Sequence, residues 1–167
     1  MVAAGRSRRR GDDRAPSLTA VASIDDVRTL VELDHGLASV SVARPDGSLQ
    51  STVVNAGVVS HPLSGQLVAA FVARGSTRKL EHLRRDPRTT LLWRAGWAWA
   101  TLEGDAELAG PDDPMAGIDA EALRLLLRRI YEAAGGVHED WAEYDRVVAA
   151  ERRVAVLVTP TRIYQNP

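Results

Sequence analysis

The sequence predicts a mainly β fold, an antiparallel β-barrel with peripheral α-helices. Three observations carry this. Six or seven short runs of alternating or β-branched apolar residues follow one another along the chain. Most are joined by tight turns, far shorter than the crossovers parallel strands need. Helical periodicity is confined to the start, one crossover and a stretch near the C-terminal end, which favours a barrel over a doubly wound sheet.

Residues 1–18 read as a disordered, Arg-rich extension and 19–167 as one domain, since 167 residues suffice for a single core. Ser23 can cap a helix whose first turn holds Asp25 and Asp26; Ile24, Val27, Leu30 and Val31 follow helical spacing, and Gly36 stops it. Leu37–Val42 alternates as a strand, Arg44-Pro45-Asp46-Gly47 is a turn, and Leu49–Val54 returns as the hairpin partner. Asn55-Ala56-Gly57 reads as an extension of that strand past a bulge at the glycine. After a turn at His61–Gly65, Gln66–Ala73 is an apolar strand, and a short Thr77–Arg85 helix ends before Asp86-Pro87.

Thr89–Trp93 and Trp97–Leu102 read as two strands around Ala95-Gly96, with a bend at Gly104 before Asp105–Leu108. Asp119–Ala134 is an amphipathic helix with Leu123, Leu126, Leu127 and Ile130 on one face, ended by Gly135-Gly136. A shorter helix at Trp141–Ala150, a strand at Arg153–Val158 stopped by Pro160, and a last short strand through Ile163-Tyr164 complete the reading.

Composition narrows the chemistry. The chain has no cysteine, which excludes disulfides, thiolate nucleophiles and Cys-based metal sites. Residues 1–14 carry five arginines against two aspartates; the remainder is mildly acidic, which argues against nucleic-acid binding as its main task. No apolar run approaches a bilayer span and no signal-like apolar segment follows the arginines, so a cytoplasmic protein without membrane partners is expected. The four histidines sit in different predicted elements without ligand spacing, and no metal site is expected. Asp112-Asp113 and Glu139-Asp140 read as solvated loop carboxylates.

Lys79 stands out as the one lysine beside 20 arginines. A position that stays Lys in so Arg-rich a chain points to a need for a compact point charge. It follows a strand end and a small-residue turn, Arg74-Gly75-Ser76-Thr77-Arg78, which offers hydroxyls, backbone N–H groups and cations to a phosphate. The competing reading is two solvated charges on a short helix. Trp97 and Trp99, two apart on a strand, put both indoles on one face, either flanking a flat heterocycle or filling core. Gln50, Ser51 and Thr52 either contact a cofactor or simply face water.

The segment Gly75–Arg88, with Lys79 ahead of Asp86-Pro87, resembles the stretch after the third strand in pyridoxamine 5′-phosphate oxidase-like split-barrel flavoproteins. Gly96–Leu108, Trp141–Tyr144, Glu151–Val154 and Pro160–Tyr164 resemble the deazaflavin-dependent branch of that superfamily, over roughly 24–164. The resemblance implies an FMN-binding split barrel of antiparallel, Greek-key-like strands, and a homodimer with two cofactor sites at its interface. It implies an oxidoreductase moving a hydride between reduced deazaflavin coenzyme F-420 and a small organic electrophile. An FMN-dependent enzyme and a non-catalytic cofactor carrier are the alternatives. In that scheme Lys79, helped by Arg78, Ser76 and Thr77, meets the cofactor phosphate. Trp97 and Trp99 lie near its ring and Gln50–Thr52 line the ring edge. Two departures stand out: Thr77 occupies a place where relatives often have Arg, and His82 one where Asn is frequent.

Overall fold

The structure, a computed structural model, describes residues 20–166, so the expected N-terminal extension lies outside the described residues. In chain order the elements are β1 (Ala20–Val21), α1 (Ile24–Leu33), β2 (Leu37–Ala43), β3 (Leu49–Ser60) and β4 (Leu67–Ala73). Then come α2 (Arg78–Arg85), β5 (Arg88–Ala95), β6 (Ala98–Ala109), α3 (Ala120–Ala133), α4 (Trp141–Ala150) and β7 (Val154–Gln165). All pairings are antiparallel, and the sheet order β1-β7-β4-β3-β2-β5-β6 closes through β6–β7 into a six-stranded barrel, with β1 added along the end of β7. The order β5-β2-β3-β4 is a Greek key.

Local chemistry explains several element ends. Ser23 and Asp26 form a reciprocal capping box on α1. The β2–β3 turn is closed by Gly47 N–H donating to the Arg44 carbonyl at 3.0 Å, with Gly47 at φ +83°. Helix α3 starts at an Asp119 cap, whose Oδ1 accepts from Ala122 N–H at 2.8 Å. It ends in a Schellman motif: Gly136 donates to the Tyr131 carbonyl and Gly135, at φ +82°, to that of Glu132.

The barrel interior is filled by inward residues of β2–β7, among them Val40, Phe71, Leu91, Trp93, Leu102 and Val156, joined by Val27, Leu30 and Val31 from α1 and Leu80 and Leu83 from α2. A second core lies outside the barrel, where α3 and α4 bury Leu126, Leu127, Ile130, Tyr144 and Val148 against β3, β4 and β7. Burial pushes the Tyr144 hydroxyl up to about 12, and that hydroxyl donates to the Leu127 carbonyl at 3.2 Å. Asp145 clamps the two helices together by accepting from Arg124 (2.9 Å) and Arg128 (2.8 Å); the Arg128 hydrogen bond, foremost, holds its carboxyl below the usual range.

Trp93 is buried and its Nε1–H donates to the Ala56 carbonyl at 3.0 Å, tying β5 to β3 across the interior. Trp93→Phe keeps an aromatic ring but removes the donor and part of the volume. We expect it to cost about 2–4 kcal/mol, read as a lower urea midpoint at unchanged slope.

The structure corrects several expectations. Gly57 marks no bulge: β3 runs unbroken for 12 residues, and the glycine is needed because a Cβ there would sit 2.3 Å from the Ala133 carbonyl of α3. Gly104 does not interrupt β6. It lies where the β6–β7 register shifts, and a Cβ would meet the Thr159 carbonyl at 2.2 Å. Pro160 does not end β7, which continues to Gln165, since the proline falls at that same register shift. Asp112 and Asp113 are not merely solvated: they pair with Arg152 and, at 2.7 Å, with Arg84. Asp140 caps α4.

Candidate functional site

A cleft of about 800 Å³ opens between the barrel and α3. Five parts of the chain supply its walls: His35 after α1, Val53 and Asn55 on β3, Arg74, Thr77 and Lys79 around the start of α2, Tyr131 to Val137 at the end of α3, and Arg153 before β7. The β4–α2 turn brings Lys79 in. Gly75 lets that turn lie against the α4–β7 connection, because a Cβ would meet the Arg152 carbonyl at 2.5 Å. Thr77 holds the turn closed by donating its hydroxyl to the Arg74 carbonyl at 2.9 Å.

The electrostatics of the cleft are lopsided. Arg74, Lys79 and Arg153 line it, and the carboxylate beside them, Glu151, is shared between Arg74 (3.2 Å) and Arg153 (2.7 Å). Those contacts, with the Arg153 hydrogen bond foremost, hold the Glu151 carboxyl below its usual range. Lys79 is half-buried and has no carboxylate within 4.0 Å among the described residues. Desolvation alone lowers its pKa from the ordinary lysine value. Burial of an ammonium away from water disfavours its charged form, and no neighbouring carboxylate among the described residues offsets that cost. On the opposite wall Asn55 Nδ2 donates to the His35 carbonyl at 2.9 Å, and His35 itself holds a left-handed backbone at φ +50°.

Of the residues singled out from the sequence, Lys79 and Thr77 line the cleft. Arg78 and Ser76 are both exposed at the turn and do not line it. The β3 residues divide by strand alternation. Gln50 and Thr52 are half-buried, and the Thr52 hydroxyl is enclosed without a hydrogen-bond partner. Ser51 is exposed on the other face, with its Oγ 2.7 Å from that of Ser41.

The two indoles do not share a strand face, contrary to the expectation from their spacing. Trp97 sits with Gly96 in the two-residue β5–β6 turn and is 90% exposed. Trp99 lies on β6, edge-to-face with Tyr164 at 6.2 Å. Neither lines the cleft within one chain. Asn55, His35 and Tyr131 are cleft residues that no local pattern in the sequence marks for a site, and Arg153 falls in the Glu151–Val154 motif without a role assigned to it. They come from separated segments, and only strand register brings them together.

Among the described residues no group of three or more His, Asp or Glu side chains is placed to hold a metal ion. No described helix is long and apolar enough to cross a membrane.

No family model matches the sequence, but solved structures match the fold. A putative 5-nitroimidazole antibiotic resistance protein from Bacteroides thetaiotaomicron is similar at a TM-score of 0.61 and 14% identity, covering 88% of this chain and 86% of that one. A putative pyridoxamine 5′-phosphate oxidase from Listeria innocua is similar at 0.52 and 15% identity, over 84% of this chain and 94% of that one. An F-420 reductase is similar at 0.54 and 13% identity, over 81% and 94%. These likenesses show the fold: the chain is an antiparallel split barrel with peripheral helices, as those proteins are.

Proposed function

We propose that the chain is an oxidoreductase that holds a phosphorylated cofactor of the flavin class, coenzyme F-420 in first place, in the Lys79 cleft, for use on a small organic electrophile. The observation that carries this is Lys79 itself: a half-buried ammonium, unpaired among the described residues, facing a cavity large enough for a cofactor. Three cations against one shared carboxylate fit a phosphate, and they suit F-420 better than FMN because its glutamyl tail adds carboxylates beyond the phosphodiester. Structural neighbours described as an F-420 reductase and as a putative pyridoxamine 5′-phosphate oxidase favour the same class.

When bound, such a cofactor supplies the hydride-carrying ring. The residues of this chain then have simpler tasks. Lys79 and Arg74 neutralise the anionic arm, Arg153 is held in place by Glu151, and the half-buried Tyr131 screens one side of the cleft from water. A homodimer completes the reading. Leu37, Leu49, Val53 and Leu92 all lie exposed on one outer face of β2, β3 and β5, with Ser51 among them. Val53 is also a cleft residue, so a second copy packed on that face closes the site. The exposed Trp97 at the neighbouring hairpin tip is then available to the partner's ring-binding region.

Spectroscopic titration of the full chain with F-420, FMN and riboflavin tests the reading. Saturable binding of F-420, with riboflavin far weaker, is the expected result. Tighter binding of FMN moves the assignment to a flavin enzyme, and equal affinity for riboflavin removes the phosphate argument. Oxidation of reduced F-420 by an offered acceptor separates an enzyme from a carrier.

A further inference from the structure

We propose a second ligand site, outside the Lys79 cleft, that takes an apolar molecule with an anionic head, in the chemical class of a medium-chain carboxylic acid. A cavity of about 620 Å³ lies between α3, α4 and the loop that joins β6 to α3. Its floor is Leu127 and Val148, part of the outer core, and its walls are Met115, Ile118 and Leu123. The volume is in the range of small-molecule sites, and the lining is almost wholly apolar with a few charged groups at the rim, as such sites have.

The rim charges select the head group. Both carboxylates there are already engaged: Asp119 caps α3, and Asp145 accepts from Arg124 and Arg128. Arg124 is further taken up by Glu121 at 2.7 Å. Arg146 is exposed at the same rim and, among the described residues, has neither an ion-pair nor a hydrogen-bond partner. Arg153 stands in the wall between this cavity and the Lys79 cleft. The rim therefore offers spare positive charge over an apolar hollow and no spare carboxylate. A cationic amphiphile is repelled, a neutral one gains only the apolar contact, and a carboxylate on an alkyl or aryl body satisfies both.

Calorimetric titration of the full-length chain with octanoate, decanoate and 1-octanol tests this. The acids should saturate at one per chain, with each added methylene raising affinity about threefold to fourfold. Ala149→Trp fills the mouth from an exposed position and should cut affinity for all three probes by more than about tenfold. Arg146→Glu should weaken the acids about tenfold and leave 1-octanol unchanged. Ala120→Trp, exposed on the opposite rim, repeats the blockade should the first variant fold poorly. Absence of saturable binding overturns the proposal, as does binding that both tryptophan variants leave intact. Loss of acid binding in a Lys79 variant assigns the acids to the other cleft and overturns it equally. Arg153 borders both hollows, but Arg146 lines only this one and Lys79 only the other, so the two readings are tested separately.

Discussion

Lys79→Met is expected to remove most of the affinity for a phosphorylated cofactor while leaving the fold intact. The side chain keeps nearly the same length and loses only the charge and its donors. A charge-assisted hydrogen bond to phosphate is worth about 1.5–3 kcal/mol, so F-420 or FMN should bind about 10- to 100-fold more weakly. Riboflavin, which lacks the phosphate, should be unaffected. Stability should move the other way. Burial depresses the Lys79 pKa, so just below the ordinary lysine value the unfolded chain binds more protons than the folded one. Stability of the ligand-free wild type therefore rises with pH through that window, and the methionine variant should lose this increment. Equal FMN affinity in the two proteins would remove Lys79 from the site; a collapse of the fold would make it a structural lysine.

What is legible in the sequence is what is decided within a few residues. The Ser23 cap, the Arg44–Gly47 turn and the Gly135-Gly136 stop all depend on neighbours three to five positions away, and all stand where the pattern puts them. Gly57, Gly104 and Pro160 are not legible in this way because their reasons lie elsewhere in the chain: the end of α3, the Thr159 carbonyl, and a change of strand partner. Trp97 looks like a strand residue because alternation with Trp99 is indistinguishable, at that length, from a two-residue turn followed by a strand. In the cleft the same division holds. Lys79 announces itself by composition, yet its neighbour Arg78 is exposed, since consecutive helical residues point about 100° apart. Asn55 carries no local signal of a site, and Arg153 only that of the Glu151–Val154 segment, which assigns it no role. They reach the cleft because β3 pairs with β4, and β4 with β7, in one particular register.

That dependence on register exposes the cleft to a change at Gly57, which does not line it but holds β3 against the end of α3. A Cβ at Gly57 would lie 2.3 Å from the carbonyl carbon and oxygen of Ala133 and 2.6 Å from the nitrogen of Ala134. These are backbone atoms of the last helical turn, which no rotamer change can move. Gly57→Ala therefore has to lift the end of α3 from β3, opening the contact around Ile130 and Ala134, and should cost about 3 kcal/mol or more. In a domain of this size that corresponds to a fall in Tm of about 10 °C. Gly47→Ala is the control. It forces a side chain into a left-handed backbone, at φ +83°, but nothing lies within 4 Å of the added carbon, so only the backbone cost of about 1–2 kcal/mol remains. The two variants should differ further in function. Asn55 and Val53 form one wall of the cleft and Tyr131 to Val137 another, and Gly57 is one point of close approach between β3 and α3. Gly57→Ala should weaken cofactor binding even at temperatures where the chain is fully folded, whereas Gly47→Ala should leave it unchanged. Thermal melts paired with cofactor titrations at low temperature read both effects, and an unaltered cleft in a folded Gly57→Ala chain would show that α3 does not set the width of the site.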